Sequence, residues 1–418
     1  IELENFSNNQ FKSNYLNTPE IWTTEKKSHF FDTKARYKVH KGNDLTNWIC
    51  IYHKKCYEDA NILLQTLQSC SKAIGLKVAE PIWIEIDSFK YNDWIEEINS
   101  ESPEKKQIVV CVLDRNMDNL YAKLKLDSLS KKGYLTQCVK TQSLRKNAMS
   151  ACTNLLKQIN SKLGGASYAV EFDPTVKKEN LMIVGVDSSH ISGKRTGVAM
   201  VASTDDKFLN FYNKIDIIAE KNKEQLTFCV RTFLEEAINN YFKKNVNSEN
   251  RLPSGIVIYR QGCSFEQKEF LKKEIAEIKS FLSGEGIKNI LAENPIPFYY
   301  VLVNTKTNFK FFEMEKVNNF MNYNNPQQGF IIYDQVTNPD LFEFYLQPQL
   351  VTQGTATPSS FTVASGDLEK PEMIVKLTYD MCFNYPNWNG PIRVPGPLKL
   401  AEKLSKMTAK YTKTEIHK

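Results

Sequence analysis

Apolar residues along this chain recur in two alternating rhythms, short unbroken runs and longer stretches in which they return every three or four positions. That alternation predicts an α/β protein. Trp48 to Tyr52 is an unbroken run of strand length, and Ile62, Leu63, Leu67 and Ile74 then mark one face of a helix from Ala60 to Ile74. Ile82 to Ile86 reads as extended, and the β-branched run Ile108 to Leu113, flanked by charge, as a buried parallel strand. Apolar positions 148, 152, 155, 156, 159 and 163 set a helix from Leu144 to Leu163, which stops at Gly164 and Gly165 as a helix C-terminus should. Residues 41–175 therefore read as one α/β domain. The residues before it, 1–40, are rich in Asn, Thr, Ser and Lys with scattered aromatics (Phe6, Phe11, Tyr15, Trp22, Phe30, Phe31). They show no helical period and read as an extended linker laid across another surface.

From Leu181 the order of elements changes. A strand ending in Asp187 is followed by strands around Val198 to Ala202 and Phe208 to Ile215, then by a helix with Leu226, Val230, Phe233, Leu234, Ile238 and Tyr241 on one face. A buried strand from Gly255 to Tyr259 and a helix from Phe265 to Leu282 complete the pattern. Three strands, a helix, a strand and a helix is the order of the ribonuclease H-like fold, here assigned to residues 176–418. In that topology the first and fourth strands are parallel neighbours, so Asp187 and Gln261 are expected to meet at one crevice.

Composition narrows the class. The chain has 418 residues, 41% hydrophobic and 24% charged, which is a globular balance with room for two or three cores. No run approaches eighteen consecutive apolar residues, and Ile1, Glu2, Leu3 and Glu4 open no signal peptide, so neither a membrane span nor a secretory leader is expected. The missing initiator Met reads as a fragment. Nine cysteines, an odd number spread from Cys50 to Cys382, read as buried free thiols of an intracellular protein. The net charge of +6 is unevenly spread. Residues 121–165 carry nine basic side chains against Asp127 alone, and residues 393–418 carry seven against two acids, leaving the remainder net acidic. A polyanion is the partner this distribution implies.

In the first basic segment, Tyr121, Lys125, the run Thr136-Gln137-Cys138-Val139 and the run from Gln158 to Gly165 resemble the MID domain of the Argonaute family. The resemblance implies a Rossmann-like domain in which Tyr121 stacks on the first guide base while Lys125, Gln137 and Lys162 hold the guide 5′ phosphate. Gln158 stands where the Ago branch usually has Lys and the Piwi branch Gln, which implies a phosphate neutralised partly by Mg²⁺ near Gln137. Elementary chemistry agrees, since a phosphate needs ammonium charge and oriented donors and an unpaired base needs an aromatic face. The second domain resembles PIWI. Ile183 through His190, Leu252-Pro253, Val257 through Gly262, Asn325-Pro326 with Gly329 and Gln353-Gly354-Thr355 with Pro358 all fit, and Leu377-Thr378-Tyr379 with Cys382, Tyr385 through Trp388 and Ile392 through Pro395 fit the Piwi branch best. On this resemblance the N-terminal and PAZ domains lie outside the chain, and an apolar segment is expected beyond Lys418.

Slicing members of that family cut a target with two Mg²⁺ ions held by Asp, Glu, Asp and His or Asp. Here Asp187 keeps the first position, Gln225 takes the mobile Glu position with Glu224 one residue away, Gln261 takes the third and Glu402 the fourth. An amide in place of a bridging carboxylate removes one negative charge from a site for two dications, so no metal is expected at the tetrad. Asp187 is then expected to cap its strand end and bond nearby amides, and His190 to serve a turn. Cys50, His53 and Cys56 have zinc-like spacing but straddle a strand without a nearby fourth ligand, and read as structural. Lys306 and Lys310, placed in an apolar strand pair after Val303, and Arg393 and Lys399 either face a guide backbone or are plain surface charge. The function implied is a Piwi-branch core that binds a small single-stranded RNA by its 5′ phosphate, pairs it with target RNA and recruits protein effectors without slicing, with the nucleus favoured over the cytoplasm. The alternatives are a divergent metal-dependent RNA endonuclease using Asp187, Glu402 and Glu224, and an RNA-independent scaffold that activates another RNA-processing factor.

Overall fold

The computed structural model describes residues 14–23, 27–28, 37–101, 106–130, 134–191, 195–219, 222–247, 251–263, 268–283, 295–318, 320–333, 336–338, 340–366, 371–388 and 390–411. Expectations that fall on Phe6, Phe11, Phe30, Phe31 and residues 265–267 lie outside them. Short extended pieces come first, β1 (Asn14–Tyr15), β2 (Ile21–Trp22) and β3 (Lys27–Ser28). The first α/β domain follows with β4 (Trp48–His53), α1 (Tyr57–Ile74), β5 (Ile82–Ile86), α2 (Tyr91–Ser100), β6 (Ile108–Leu113), α3 (Asp118–Ser130), β7 (Thr136–Lys140) and α4 (Thr141–Lys162).

The four strands run parallel in the order β5-β4-β6-β7. Every residue of β4 and β6 is buried, because helices cover both faces of the sheet. On one face Leu63, Leu67, Leu155 and Ile159 of α1 and α4 pack on Trp48, Cys50 and Val110. On the other, Trp94, Ile98, Leu120 and Leu124 of α2 and α3 pack on Ile49, Ile51 and Val109. This three-layer arrangement is Rossmann-like. Helix α4 starts three residues before the expected Leu144 and is interrupted at Asn147 (φ −160°, ψ 80°), whose Oδ1 accepts from the Ser150 amide and restarts the turn.

After β8 (Ala169–Val170) and α5 (Pro174–Lys178) the second domain contains β9 (Leu181–Ile191), β10 (Arg195–Ser203), β11 (Phe211–Ala219), α6 (Lys223–Lys244), β12 (Gly255–Arg260), α7 (Lys268–Ser283), β13 (Phe298–Asn304), β14 (Glu313–Val317), β15 (Phe320–Asn324), β16 (Phe330–Ile332), β17 (Phe342–Gln347), β18 (Ser359–Ser365), α8 (Pro371–Phe383) and α9 (Gly396–Tyr411). Nine strands make one sheet in the order β1-β16-β17-β18-β13-β12-β9-β10-β11. β12 is parallel to both β9 and β13, as the ribonuclease H-like order requires. Helices α6 and α7 close one face through Val230, Phe233, Ile238 and Ile278, and α8 and α9 close the other through Ile374, Leu377, Phe383 and Leu398. Helix α9 crosses the sheet at very short range. A Cβ on Gly185 would lie 2.3 Å from the Leu398 amide nitrogen, and one on Gly197 would lie 2.4 Å from the Ser405 carbonyl oxygen.

Several local expectations are corrected. β9 does not end at Asp187 but runs to Ile191 as a hairpin with β10, so His190 is a strand residue opposite Thr196 rather than a turn residue. The third strand starts at Phe211, not Phe208. The Asp205 carboxylate gathers the amides of Lys207, Leu209 and Asn210 into a turn, and Phe208 takes the left-handed conformation there (φ 54°). Lys306 and Lys310 lie in the irregular segment between β13 and β14, not in strands. The nine cysteines are all free thiols, and no helix among the described residues is long and apolar enough to cross a membrane.

Candidate nucleic-acid interface

Parallel strand topology brings three elements to the start of β7. Helix α3 leads into that strand and helix α4 returns from it, so the second half of α3 and the last turn of α4 flank Thr136 and Gln137, both buried. Lys125 Nζ donates to the Thr136 carbonyl oxygen (3.1 Å) and to Thr136 Oγ1 (2.7 Å). Lys162 Nζ donates to the same carbonyl (2.6 Å) and to Gln137 Oε1 (2.7 Å), and Gln137 Nε2 donates to Gln158 Oε1 (3.2 Å). The Lys125 ammonium lies 6.0 Å from the centre of the Tyr121 ring. All five MID residues singled out in the sequence therefore form one connected cluster.

The electrostatics of the cluster are positive. Two ammonium groups share one neutral carbonyl oxygen, and among the described residues no carboxylate appears among their hydrogen-bond partners. Lys162 is exposed as a residue, yet its ammonium is crowded by protein atoms. Desolvation first, and the Lys125 charge second, lower its pKa to about 7. Lys403 of α9 adds a third positive charge acting on Lys162, reaching from the second domain while its ammonium lies 5.2 Å from the Tyr385 ring centre. Lys403 was not singled out from the sequence, where it is one of several lysines on an amphipathic helix.

The second cluster lies where β9 and β12 run side by side. The Gln261 amide donates to the Val186 carbonyl (2.9 Å), placing Gln261 beside Asp187 as expected. Asp187 is buried, and its Oδ2 accepts from the hydroxyls of Ser189 (3.2 Å) and Ser405, not from amides. Those hydroxyls are themselves 3.0 Å apart. Ser405 is a residue that sequence reasoning missed, since a serine on a helix carries no chemical signature until its partner is seen. One turn earlier on α9, Glu402 is clamped by Lys399 (2.7 Å) and Lys406. Burial pushes its pKa up, but the two ammonium groups outweigh that and hold it below the usual carboxylate range. Glu224 and Gln225 are on the exposed first turn of α6, where Asn222 Oδ1 accepts from the Gln225 backbone amide.

Beneath the crevice Arg260 and Glu274 form a fully buried ion pair (3.1 Å), joined by the Tyr300 hydroxyl. Burial opposes the Arg260 charge, but the Glu274 carboxylate outweighs it and keeps the guanidinium protonated. Among the other singled-out residues, Arg393 Nη2 donates to the Thr305 carbonyl (2.8 Å), and His190 Nδ1 shares a 2.7 Å hydrogen bond with Thr196 Oγ1. His53 accepts from the Lys55 amide and stacks on Phe89 at 4.1 Å, while Cys50 and Cys56 are buried in the α1 side of the sheet. Among the described residues no three His, Cys, Asp or Glu side chains converge as a metal cage.

A Rossmann-like domain whose basic cluster lies beside a ribonuclease H-like domain, with Asp187 on β9 next to Gln261 just past the end of β12, is the MID–PIWI lobe of an Argonaute-type protein. The Piwi domain model matches residues 108–413, and the chain belongs to that family. Piwi-like protein 1 of Gallus gallus is 27% identical over 379 residues, covering 90% of this chain and 41% of the relative. Protein piwi of Drosophila melanogaster is 27% identical over 406 residues, covering 93% and 44%. The chain thus spans less than half the length of the curated relatives it matches. The crystal structure of Drosophila Piwi superposes with a TM-score of 0.82 at 23% identity, covering 95% of this chain and 54% of that one. The C-terminal lobe of a budding yeast Argonaute superposes at 0.80 and 16% identity, covering 96% and 88%. Kluyveromyces polysporus Argonaute, solved with a guide RNA, superposes at 0.81 and 18% identity, covering 98% and 54%.

Proposed function

We propose that this chain binds a small single-stranded RNA by its 5′ phosphate in the MID pocket, presents it for pairing with target RNA, and acts through protein effectors rather than by cutting. The observation that carries this reading is the single cluster of Tyr121, Lys125, Gln137, Gln158 and Lys162, in which two ammonium groups converge on one neutral oxygen. A terminal phosphate supplies the anionic oxygens those groups lack, and the Tyr121 ring offers a face to the first base. The structure of a relative solved with a guide RNA supports the class of ligand.

Mg²⁺ fits the donor set. It would be held by the amide oxygens of Gln137 and Gln158 only if these turned from their present donors, Lys162 Nζ and Gln137 Nε2, and phosphate oxygens completed the set, and the ion would then neutralise phosphate charge that a lysine at position 158 would otherwise meet. In the crevice, Gln261 brings no charge, Glu402 is committed to two lysines, and Asp187 is committed to two hydroxyls. Such a set ties β9 to α9 and gives two dications few free anionic ligands. The test is a 5′-phosphorylated RNA bound to the protein and offered a labelled complementary strand in Mg²⁺. Stable retention of the intact strand is the expected result. Metal-dependent cutting that disappears in Asp187→Ala would replace this reading with the divergent endonuclease.

A further inference from the structure

Among the described residues, exposed large apolar side chains crowd most densely between positions 309 and 323, on and just before the β14–β15 hairpin. The strand register sorts them. Met314 pairs with Tyr323 and Lys316 with Met321 on one face, and the Phe312 ring meets Tyr323 edge-on at 6.5 Å on that same face. The opposite face carries Glu313, Glu315, Asn322 and Asn324, with Phe320, 75% exposed, at the tip of the hairpin. The apolar face is open to solvent, with Tyr323 62% exposed, and its one charge is the Lys316 ammonium. Both acids are turned away from it.

The hairpin is continuous with the crevice. β13 and β12 are parallel, so Asn304 and Gln261 leave the sheet at the same end. The segment between β13 and β14 is pinned along the rim by Arg393 Nη2 on the Thr305 carbonyl (2.8 Å), by Thr307 Oγ1 on the Pro358 carbonyl (2.9 Å) and by Lys310 on Thr357. The Tyr15 hydroxyl then holds Glu313 at the base of the hairpin. A positively charged rim thus leads from the crevice to an aromatic face whose only charge is positive. We infer that this face is a stacking platform for unpaired RNA bases, holding single-stranded RNA as it leaves the crevice. The inference rests on the guide-binding reading for the path of the RNA. An aromatic pair, two pliable thioethers and an ammonium suit bases of any sequence and the phosphates between them. The positive charge on this face and along the rim, with both hairpin acids on the other face, favours a polyanion over an apolar protein segment.

The test uses the full chain and two 5′-phosphorylated, unstructured RNAs, one short enough to be confined to the MID pocket and one long enough to pass the crevice, with 2-aminopurine in the distal half of the longer. In Phe312→Ala/Tyr323→Ala the longer RNA should bind about tenfold or more weakly, with the fluorescence quench lost and the short RNA unaffected. Phe312→Trp/Tyr323→Phe should keep both signals. Unchanged affinity and quenching in the alanine variant would overturn the inference and assign the face to a protein segment. Equal loss for both RNAs would overturn it as well, because the hairpin would then act through the fold. If the unaltered protein showed no preference for a 5′ phosphate while the alanine variant still lost the longer RNA, the guide reading would fail and the platform would stand.

Discussion

Lys162 joins sequence to chemistry most directly, because its position at the end of α4 sets both its partners and its charge. In the unliganded pocket burial and Lys125 lower its pKa to about 7, so above that pH it is largely neutral and must take up a proton to meet a phosphate. A terminal phosphate gains its second charge near pH 6. The preference for a phosphorylated end should therefore peak between about pH 6 and 7 and fall by up to about tenfold per unit above it, with proton uptake visible by calorimetry in buffers of different ionisation enthalpy. Lys162→Arg, charged throughout, should flatten the alkaline limb. An alkaline limb equally steep in both proteins would show that another group titrates. Gln158 and Gln137 were found only through family resemblance, since an isolated glutamine has no pattern of its own. Ser405 and Lys403 escaped even that.

Helix α9 connects the two clusters, carrying Glu402 and Ser405 toward the crevice and Lys403 toward the MID pocket. Its placement depends on two glycines. A Cβ at position 197 would strike the Ser405 carbonyl and lie 2.8 Å from the Ala409 amide nitrogen, and neither backbone atom can move without the helix. Gly197→Ala should cost about 1–3 kcal/mol in urea unfolding and also loosen phosphate binding by displacing Lys403. A stable variant with full binding would contradict this placement. The elements read correctly from the sequence were those with unmixed patterns, such as β4 and β6, whose every residue is buried, and the apolar stripe of α6. Helix α3 was not, because lysines at 123 and 125 interrupt its apolar stripe, Lys125 reaching Thr136 and Lys123 lying over the Tyr91 ring of α2 rather than in the core. The start of β11 was misread because the pattern shows that Phe208 is buried and cannot show that it is buried in a turn organised by Asp205.

The molecule as a whole places the Lys125–Lys162 cluster and the Asp187–Gln261 crevice on either side of one helix, with a basic rim running on to an exposed aromatic hairpin. The ribonuclease H-like order was legible because strand and helix lengths survive changes in individual residues, and the parallel pairing of β9 with β12 followed from it. The hairpin was not legible as a surface, since exposed and buried aromatics look alike until the register sorts them. The central claim is that the MID pocket exists to hold a terminal phosphate. Its most direct test is equilibrium binding of one short RNA bearing either a 5′ phosphate or a 5′ hydroxyl, at fixed salt, with Mg²⁺ present or chelated. Charge-assisted contacts should favour the phosphate by on the order of 1.5–3 kcal/mol, roughly ten- to a hundred-fold, with the preference reduced on chelation and abolished in Lys125→Ala. Equal, weak binding of both ends would contradict the account and leave a MID–PIWI lobe that works through its protein partners alone.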